Sequence, residues 1–374
     1  MVVAVGVTAL VLVLRSGGGP THYSLTGKMV SSKPSAGFKI ASTPTAYHVV
    51  YRLDSYSQGK ATSTTQDFTI RRPFDANIVV KTGAPPGAAT TASYIGNLGL
   101  FQQKSAGGSP NVSRGAPQMS LGDFRFDASL GDLVAQSLFV ARERREVLGH
   151  ECQVYRTGQP VEAGSVAGPA ADSYADVCIS SDGLLLEEVT VLANALSERR
   201  IATTIDVTAK PADSLFAITA TPRPLAQGGE ELNPISAVSA PTPGYWLLDA
   251  PPTGYELQGR YVLRVPATPD TSTSTTTTTV AGQAPAAKES YIDVYVNGQK
   301  AIFIEQGPKA AEPSTSASSG AAVDAGGLGT AHVAVGVVSN TLAAAPKATV
   351  PWFVHVTGSV PLAELEKVAS SLRT

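Results

Sequence analysis

The chain has 374 residues, a net charge of −2 and only 16% charged side chains, a balance that excludes the basic face of a nucleic-acid binder and any acidic tail. With 43% hydrophobic residues it can bury a sizeable core, and its length suits about two domains of ordinary size. Aromatic residues make up only 6% while Ala, Val, Thr, Ser, Gly and Pro abound, so a sheet-dominated protein with long loops is expected.

Residues 1–17 carry the apolar run Met1–Leu14 and then Arg15, and a Gly-rich spacer follows over 16–22. The run is shorter than the roughly 20 residues that cross a bilayer. No basic stretch precedes it and no Ala-x-Ala-like cleavage site follows. It reads as an export signal or signal anchor lacking its first residues, against the alternative of a buried strand or helix. The expected location is the cell membrane, single-pass with an extracytoplasmic domain, or secretion to the cell envelope. No cysteine lies near the run, which argues against a lipid-modified N-terminus.

Tyr23–Ser31 fits either a short extended piece or a helix start. Tyr47–Tyr56 alternates with period two, placing Tyr47, Val49, Tyr51, Leu53 and Ser55 on one face of a strand. Ala61–Arg71 and Ala76–Lys81 continue it as a meander broken at Arg72-Pro73-Phe74-Asp75. Residues 82–117 are rich in Gly, Pro and Ser around Tyr94–Gln103 and read as a lid or irregular hairpin. Leu130–Arg144 reads as a helix capped by Ser129, with Asp132 at its third position. Leu130, Leu133, Val134, Leu138 and Ala141 form its apolar stripe, and Arg142, Arg144 and Arg145 suit its C-terminus. That basic cluster is either a solvated helix end or a site for an anion or lipid head group.

The stretch 147–192 holds the only two cysteines, Cys152 and Cys178. Extended segments Cys152–Thr157 and Tyr174–Ser180 flank a loop, and the second turns at Ser181-Asp182-Gly183 into Leu184–Val191. Two cysteines suit one disulfide in an exported protein, with two unrelated buried thiols as the alternative. A disulfide closing a loop of this size is worth about 3 kcal/mol in the chain-entropy model. Ser197–Val207 is a further strand, and Lys210–Phe216 closes the first domain, taken as 22–216.

Residues 217–244 read as a linker, and a second domain spans 245–374. Its strands are Tyr255–Val265, then Ser290–Asn297 and Gln299–Gln306 around the turn signal Asn297-Gly298, then Ala331–Asn340 and Trp352–Thr357. Thr268–Ala287 and Pro308–Gly329 are low-complexity loops. Ser359–Leu372 is a helix with Pro361 in its first turn and an apolar stripe of Leu362, Leu365, Val368, Ala369 and Leu372.

No catalytic pattern is present: there is no G-x-S-x-G elbow, P-loop or G-x-G-x-x-G after a strand. His22, His48, His150, His332 and His355 are scattered, so no metal site and no cofactor are expected. Glu187 and Glu188 neighbour each other on a strand, hence point to opposite faces, one solvated and one at a rim. A non-enzymatic protein is expected. The remaining feature is a hydrophobic concavity, either a filled core or a ligand cavity lined by Val49, Tyr51, Leu53, Leu133, Val134 and Leu138.

The succession Tyr47–Tyr56, Phe68–Lys81, Leu130–Arg144, Val147–Thr157, Asp176–Val191 and Arg199–Val207 resembles the periplasmic lipoprotein-carrier fold of LolA and the N-terminal domain of RseB/MucB. The string Asp-Val-Cys-Ile-Ser-Ser-Asp-Gly-Leu-Leu-Leu-Glu-Glu over 176–188 is similar to the segment where two long strands of that family turn back on each other. Tyr291–Val296, Ile304–Gly307 and Pro361–Leu372 look like the small C-terminal domain of RseB-like proteins. The resemblance implies an α+β protein: an antiparallel half-barrel sheet with helices on its concave face, plus a smaller C-terminal α+β domain. It places Cys152 and Cys178 on neighbouring strands within disulfide reach. It also implies binding of an apolar lipid or acyl chain, or of a protein partner. The expectation is a membrane-tethered sensor of the RseB type that binds lipid or lipoprotein and contacts a membrane regulator, such as an anti-sigma factor. The alternative is a lipid or lipoprotein carrier in cell-envelope biogenesis.

Overall fold

A computed structural model describes residues 23–41, 43–57, 60–82, 90–115, 119–120, 122–157, 173–225, 229–235, 244–266, 287–313, 320–346 and 351–374. The expected signal anchor over 1–17, the spacer, His22, the linker's 226–228 and 236–243, and nearly all of the Thr/Ser run lie outside the described residues. Among the described residues no helix is long and apolar enough to cross a membrane.

Two open antiparallel sheets carry the core. The first begins with β1 (Lys28–Ser31), β2 (Ala46–Ser57), β3 (Lys60–Arg71) and β4 (Asp75–Thr82). It continues through β5 (Thr90–Asn97), β6 (Leu100–Ser105) and β7 (Asn111–Arg114). After the short helix α1 (Leu130–Ala135) come β8 (Phe139–Val147), β9 (His150–Thr157), β10 (Tyr174–Ser180), β11 (Leu185–Leu192) and β12 (Ala195–Asp206). The spatial order is β1-β8-β9-β10-β11-β12-β2-β3-β4-β5-β6-β7, with β1 and β7 as separate edges, so the sheet does not close into a barrel.

Alternation in the sequence sets this sheet's two sides. Paired residues share a face, so register links Val140, Arg145, Cys152, Val154, Arg156, Asp176, Cys178, Glu187, Val189 and Arg199 on one side. We term it the cysteine face. Phe139, Tyr155, Val177, Ile179 and Leu185 point to the other side and pack with Leu130 and Leu133 of α1. On this helix face, Tyr47, Val49, Tyr51, Phe68 and Ile70 continue the core across β2 and β3.

The second sheet comprises β13 (Glu231–Pro234), β15 (Glu256–Pro266), β16 (Ala287–Asn297), β17 (Lys300–Pro308), β18 (Ala321–Asp324), β19 (Thr330–Val335), β20 (Asn340–Ala344) and β21 (Trp352–Gly358). Helix α2 (Leu362–Ser370) buries Leu362, Leu365, Val368 and Ala369 in the same cluster as Leu342, Val354 and Val356. A two-residue pair, β14 (Leu247–Leu248) with β22 (Leu372–Arg373), fastens the chain end. The hairpin loop between β16 and β17 is Gly298-Gln299, one step beyond the expected Asn-Gly, because Asn297 already pairs with Lys300. Gly298 takes φ +58, the left-handed backbone a tight hairpin needs.

Several expectations are corrected. The helix Leu130–Arg144 is only α1, and its second half is strand β8. Ser137 adopts φ +58, while Ser137 N and Leu138 N donate to Val134 O and Leu133 O at 3.0 and 2.9 Å. This is a Schellman ending made without glycine. Ser129 makes no side-chain cap. Residues 90–114 form the regular strands β5, β6 and β7 rather than a lid. The expected helix cover of the first sheet shrinks to the six residues of α1, and the irregular segment 122–129 packs beside it through Phe124 and Phe126. Ala331–Asn340 is a hairpin rather than one strand, since Val335 pairs with Asn340. Within 217–244, Glu231–Pro234 is an edge strand of the second sheet. Of the undecided segment Tyr23–Ser31, Lys28–Ser31 is strand β1, and Tyr23–Gly27 is irregular rather than the start of a helix.

Candidate functional site

The residues proposed to line a cavity fall into two neighbouring clusters on the helix face. Val49 and Tyr51 are buried against Phe68, Leu184 and Leu186. Leu133 is buried and Leu138 half-buried against Phe139 and Tyr155. Leu53 is half-buried, and Val134 is 43% exposed on the outer side of α1.

What lies over Val49 and Tyr51 is the segment 122–129. Gly122 sits at φ +67, where a Cβ would come within 2.1 Å of the Phe68 ring, so glycine permits the close approach. The Phe124 ring meets those of Tyr51 and Phe68 at 5.7 and 5.3 Å in edge-to-face contact. Leu185 N donates to Phe124 O at 3.0 Å and Phe126 N to Gly183 O at 2.8 Å. The Tyr51 hydroxyl donates to Leu185 O at 2.8 Å.

Beneath this segment lies a buried charge network. Asp123 accepts from the Tyr47 hydroxyl at 2.7 Å and from Arg72 Nε at 2.5 Å. Arg72 Nη1 reaches both oxygens of Asp127 at 2.9 Å. Arg125 pairs with Asp127 at 3.1 Å and donates to Pro44 O. Burial pushes the Tyr47 phenol well above its ordinary value, and Asp123 adds to this. The two carboxylates hold Arg72 protonated against its burial, whereas burial and the neighbouring Arg72 lower Arg125. Arg72 Nη2 and Arg125 Nε have no hydrogen-bond acceptor among the described residues. Two guanidiniums thus balance two carboxylates. Arg72 and Asp123 are 2% and 1% exposed, so the network fixes the crossing segment and offers no group to a solvent-borne substrate. Sequence reasoning passed over it. The alternation Asp123-Phe124-Arg125-Phe126-Asp127 was its one visible signal. The second sheet repeats the Tyr–Asp–Arg arrangement, with Asp293 accepting from Tyr245 at 2.7 Å and from Arg260 at 2.6 and 2.8 Å.

The cysteine face carries a different feature. Cys152 and Cys178 form a disulfide with their Cα atoms 5.4 Å apart. Over this face runs the irregular segment Tyr23–Gly27, held by side chains that read its main chain. Glu187 accepts from Thr26 N, Thr26 Oγ1 and Gly27 N at 2.6, 2.7 and 2.9 Å. Arg145 donates to Leu25 O and Gly27 O at 2.8 and 2.9 Å. Arg199 reaches Ser24 O at 3.1 Å and the Tyr174 hydroxyl reaches Tyr23 O at 3.3 Å. Glu187 is therefore fully buried rather than at a rim, and Glu188 pairs with Arg200. The basic cluster is dispersed by the strand: Arg145 is buried, Arg144 pairs with Glu151, and Arg142 is exposed.

The two sheets meet around α1. Val335 and Val337 of the β19–β20 hairpin pack on its cluster, and Ser129 Oγ donates to Val337 O at 3.2 Å. Asp132 Oδ2 accepts from Asn340 Nδ2 and from Leu362 N, both at 2.9 Å. A second contact joins the Phe74 and Phe303 rings at 5.8 Å. Beside it, an open crevice of about 280 Å³ is lined by Arg114, Arg223, Glu230, Glu231 and Asn233. It lies away from the residues proposed for a cavity. Among the described residues no His, Cys, Asp and Glu converge as metal ligands.

No family model and no curated protein matches the chain. Among solved structures it is similar to a chain of the Pseudomonas aeruginosa MucA/MucB complex, at 16% identity over 88% of this chain and 93% of that one, with a TM-score of 0.30. It is similar also to a structure of MucB alone, at 15% identity over 90% and 94% with a TM-score of 0.28. A DUF1329 family protein from Desulfovibrio piger matches at 8% identity over 48% and 91% with a TM-score of 0.24.

Proposed function

We propose that this chain is an extracytoplasmic, membrane-tethered binding protein of the RseB type, non-enzymatic, that senses a lipid or lipoprotein and contacts a membrane regulator of the anti-sigma class. The observation that supports it most directly is the hairpin β10–β11. The string 176–188 that carries the RseB-like resemblance folds as two strands turning back at Ser181–Gly183, inside an open antiparallel sheet. The disulfide fits an oxidising compartment. The sensor reading is preferred to a carrier because Phe124 and its neighbours fill the space over Val49 and Tyr51.

The test has two arms. Full-length protein purified from its native membranes is analysed by native mass spectrometry for a retained lipid. It is then titrated with the purified extracytoplasmic domain of an anti-sigma factor from the same genome. Saturable binding of that domain with micromolar affinity or better is expected. Absence of both binding and retained lipid overturns the proposal.

A further inference from the structure

The disulfide sits inside the first sheet, where Cys178 of β10 pairs with Val154 and Cys152 of β9 pairs with Ser180. Both cysteines are 0% exposed, and they are the only two in the chain. A thiol can reach their sulfurs from one side only. On the helix face Tyr155, Val177 and Ile179 pack with Phe139 and α1, so the strands and that core close the approach. On the cysteine face the neighbours are Val147 and Val154 of the sheet and Leu25 of the segment Tyr23–Gly27, all in one buried cluster with the two cysteines. Leu25 is buried against the sheet, while Ser24 and Thr26 on either side of it are exposed. A Cβ on Gly27 would come within 2.8 Å of Val147 Cγ2 and 3.0 Å of Glu146 O, so the segment is pressed closely onto the sheet.

This cover is fastened differently from what it covers. β9 and β10 each have a paired strand on both sides. Tyr23–Gly27 lies outside the strands. Glu187, Arg145, Arg199 and Tyr174, from four different strands, grip its main chain. Leu25 is the one fully buried side chain it contributes. A segment with few apolar contacts and no ladder of its own opens at a lower free energy than the sheet beneath it. Lifting it takes Leu25 out of the cysteine cluster and leaves every pairing of β9 and β10 in place.

We propose that Tyr23–Gly27 is a detachable cover that gates thiol access to Cys152–Cys178, so that the disulfide is reduced by lifting this segment and not by unfolding the sheet. The reductant is a dithiol. Its thiolate attacks one of the two sulfurs, the Cys152–Cys178 bond breaks, and the other cysteine leaves as a thiolate carrying the electron pair. The second thiol of the reductant then resolves the mixed disulfide. Two electrons and two protons end on Cys152 and Cys178, and the reductant departs as its own disulfide. The redox state of the cysteine face thereby reports whether the N-terminal segment is seated, and Glu187 and Arg145 set how firmly it is held.

The experiment uses the full chain. Excess dithiothreitol is added at a series of urea concentrations below the unfolding midpoint, and timed samples are quenched with an alkylating agent. Mass spectrometry gives the fraction carrying two alkylated cysteines. Local opening exposes little surface, so its rate barely depends on urea, whereas global unfolding carries the full denaturant slope. The native chain is expected to show a flat rate at low urea that steepens only near the midpoint. Gly27→Ala, which pushes the segment off Val147, is expected to raise the flat rate about tenfold. Thr26→Val, which removes an exposed hydroxyl bond to Glu187, is expected to raise it about fivefold. Leu365→Ala, in the core under α2, is the control that lowers the urea midpoint and leaves the flat rate unchanged. Near-ultraviolet circular dichroism confirms that each variant is folded, and Thr26→Val carries the comparison where Gly27→Ala does not fold. A native-chain rate with the full unfolding slope from the lowest urea overturns the proposal. So do segment variants that leave the flat rate unchanged, or a Leu365→Ala rate raised as much as theirs.

Discussion

Glu187 anchors the segment over the cysteine face, because three donors from Thr26 and Gly27 converge on its two oxygens. Glu187→Gln keeps one acceptor but turns an NH₂ toward a donor, leaving a buried amide unpaired. The expected cost is about 1–3 kcal/mol, read as a lower urea midpoint together with faster hydrogen exchange at Thr26 and Gly27. An unchanged exchange rate would mean the segment is held by Arg145, Arg199 and Tyr174 without Glu187. None of this was legible in the sequence, where Glu187 is one of two adjacent acids and its partner lies 161 positions away. His355 gives the pH counterpart. It is 3% exposed, shares a 3.1 Å contact with Glu312, and faces Glu305 on β17 and Ala343 on β20. Burial holds its imidazole below the usual histidine value, Lys309 acts in the same direction and Glu312 opposes it. The unfolded chain thus binds the proton more readily, so stability is full above the unfolded value of about 6.5 and falls as pH drops toward the depressed folded value. Glu305, raised by burial, has the opposite slope at lower pH, since its neutral form is the one the fold favours. Urea midpoints between pH 7.5 and 5.5 are expected to fall for the native chain and to flatten in His355→Gln.

At the scale of elements, period two announced β2, whose buried Tyr47, Val49 and Tyr51 alternate with half-buried neighbours, while β9, β10 and β12 were legible only as extended runs bounded by turn residues. Period two failed at β8. There Arg142, Glu143, Arg144 and Arg145 hide the alternation, and the register with β9 slips between Ala141 and Arg144. The buried Gln153 amide accommodates that bulge by donating to Arg142 O and Glu143 O, both at 3.1 Å. A Leu-rich start followed by arginines mimics a helix, and only a stop signal could have revealed the change. That signal is normally glycine, and here it is Ser137 in a left-handed conformation. A side chain there costs roughly 1–2 kcal/mol, offset in part by the greater unfolded freedom of glycine. Ser137→Gly is therefore expected to stabilise by about 0.5–1 kcal/mol, measured as an increase in Tm of the exposed-site variant. A decrease would place the helix stop in the Ser137 side chain itself.

For the whole molecule, the pairing of successive strands into hairpins follows from patterns a sequence displays, whereas the return of β12 to β2, the pairing of β1 with β8 and the docking between sheets do not. Asp132 illustrates the difference. Its spacing from Ser129 resembles a capping box for its own helix, yet its carboxylate caps α2 of the other sheet through Leu362 N and also holds Asn340. Those partners lie more than 200 positions away, and local pattern carries no information about them. Because one oxygen accepts both bonds, removing it unpairs the Leu362 amide at the start of α2 and leaves the Asn340 amide only its 2.9 Å bond to Val360 O. Asp132→Ala is expected to cost about 1–3 kcal/mol, with the loss confined to the junction. α2 and the β19–β20 hairpin should lose hydrogen-exchange protection, while β9–β12, stapled by Cys152–Cys178, keep theirs. If the two sheets are coupled mainly through Asp132, the variant unfolds in two steps. If the Phe74–Phe303 contact and the Val335 and Val337 packing suffice, it unfolds in one step at lower urea. Either readout measures how firmly the second sheet is held on the helix face, which is what a partner bound there would feel as a change in the first.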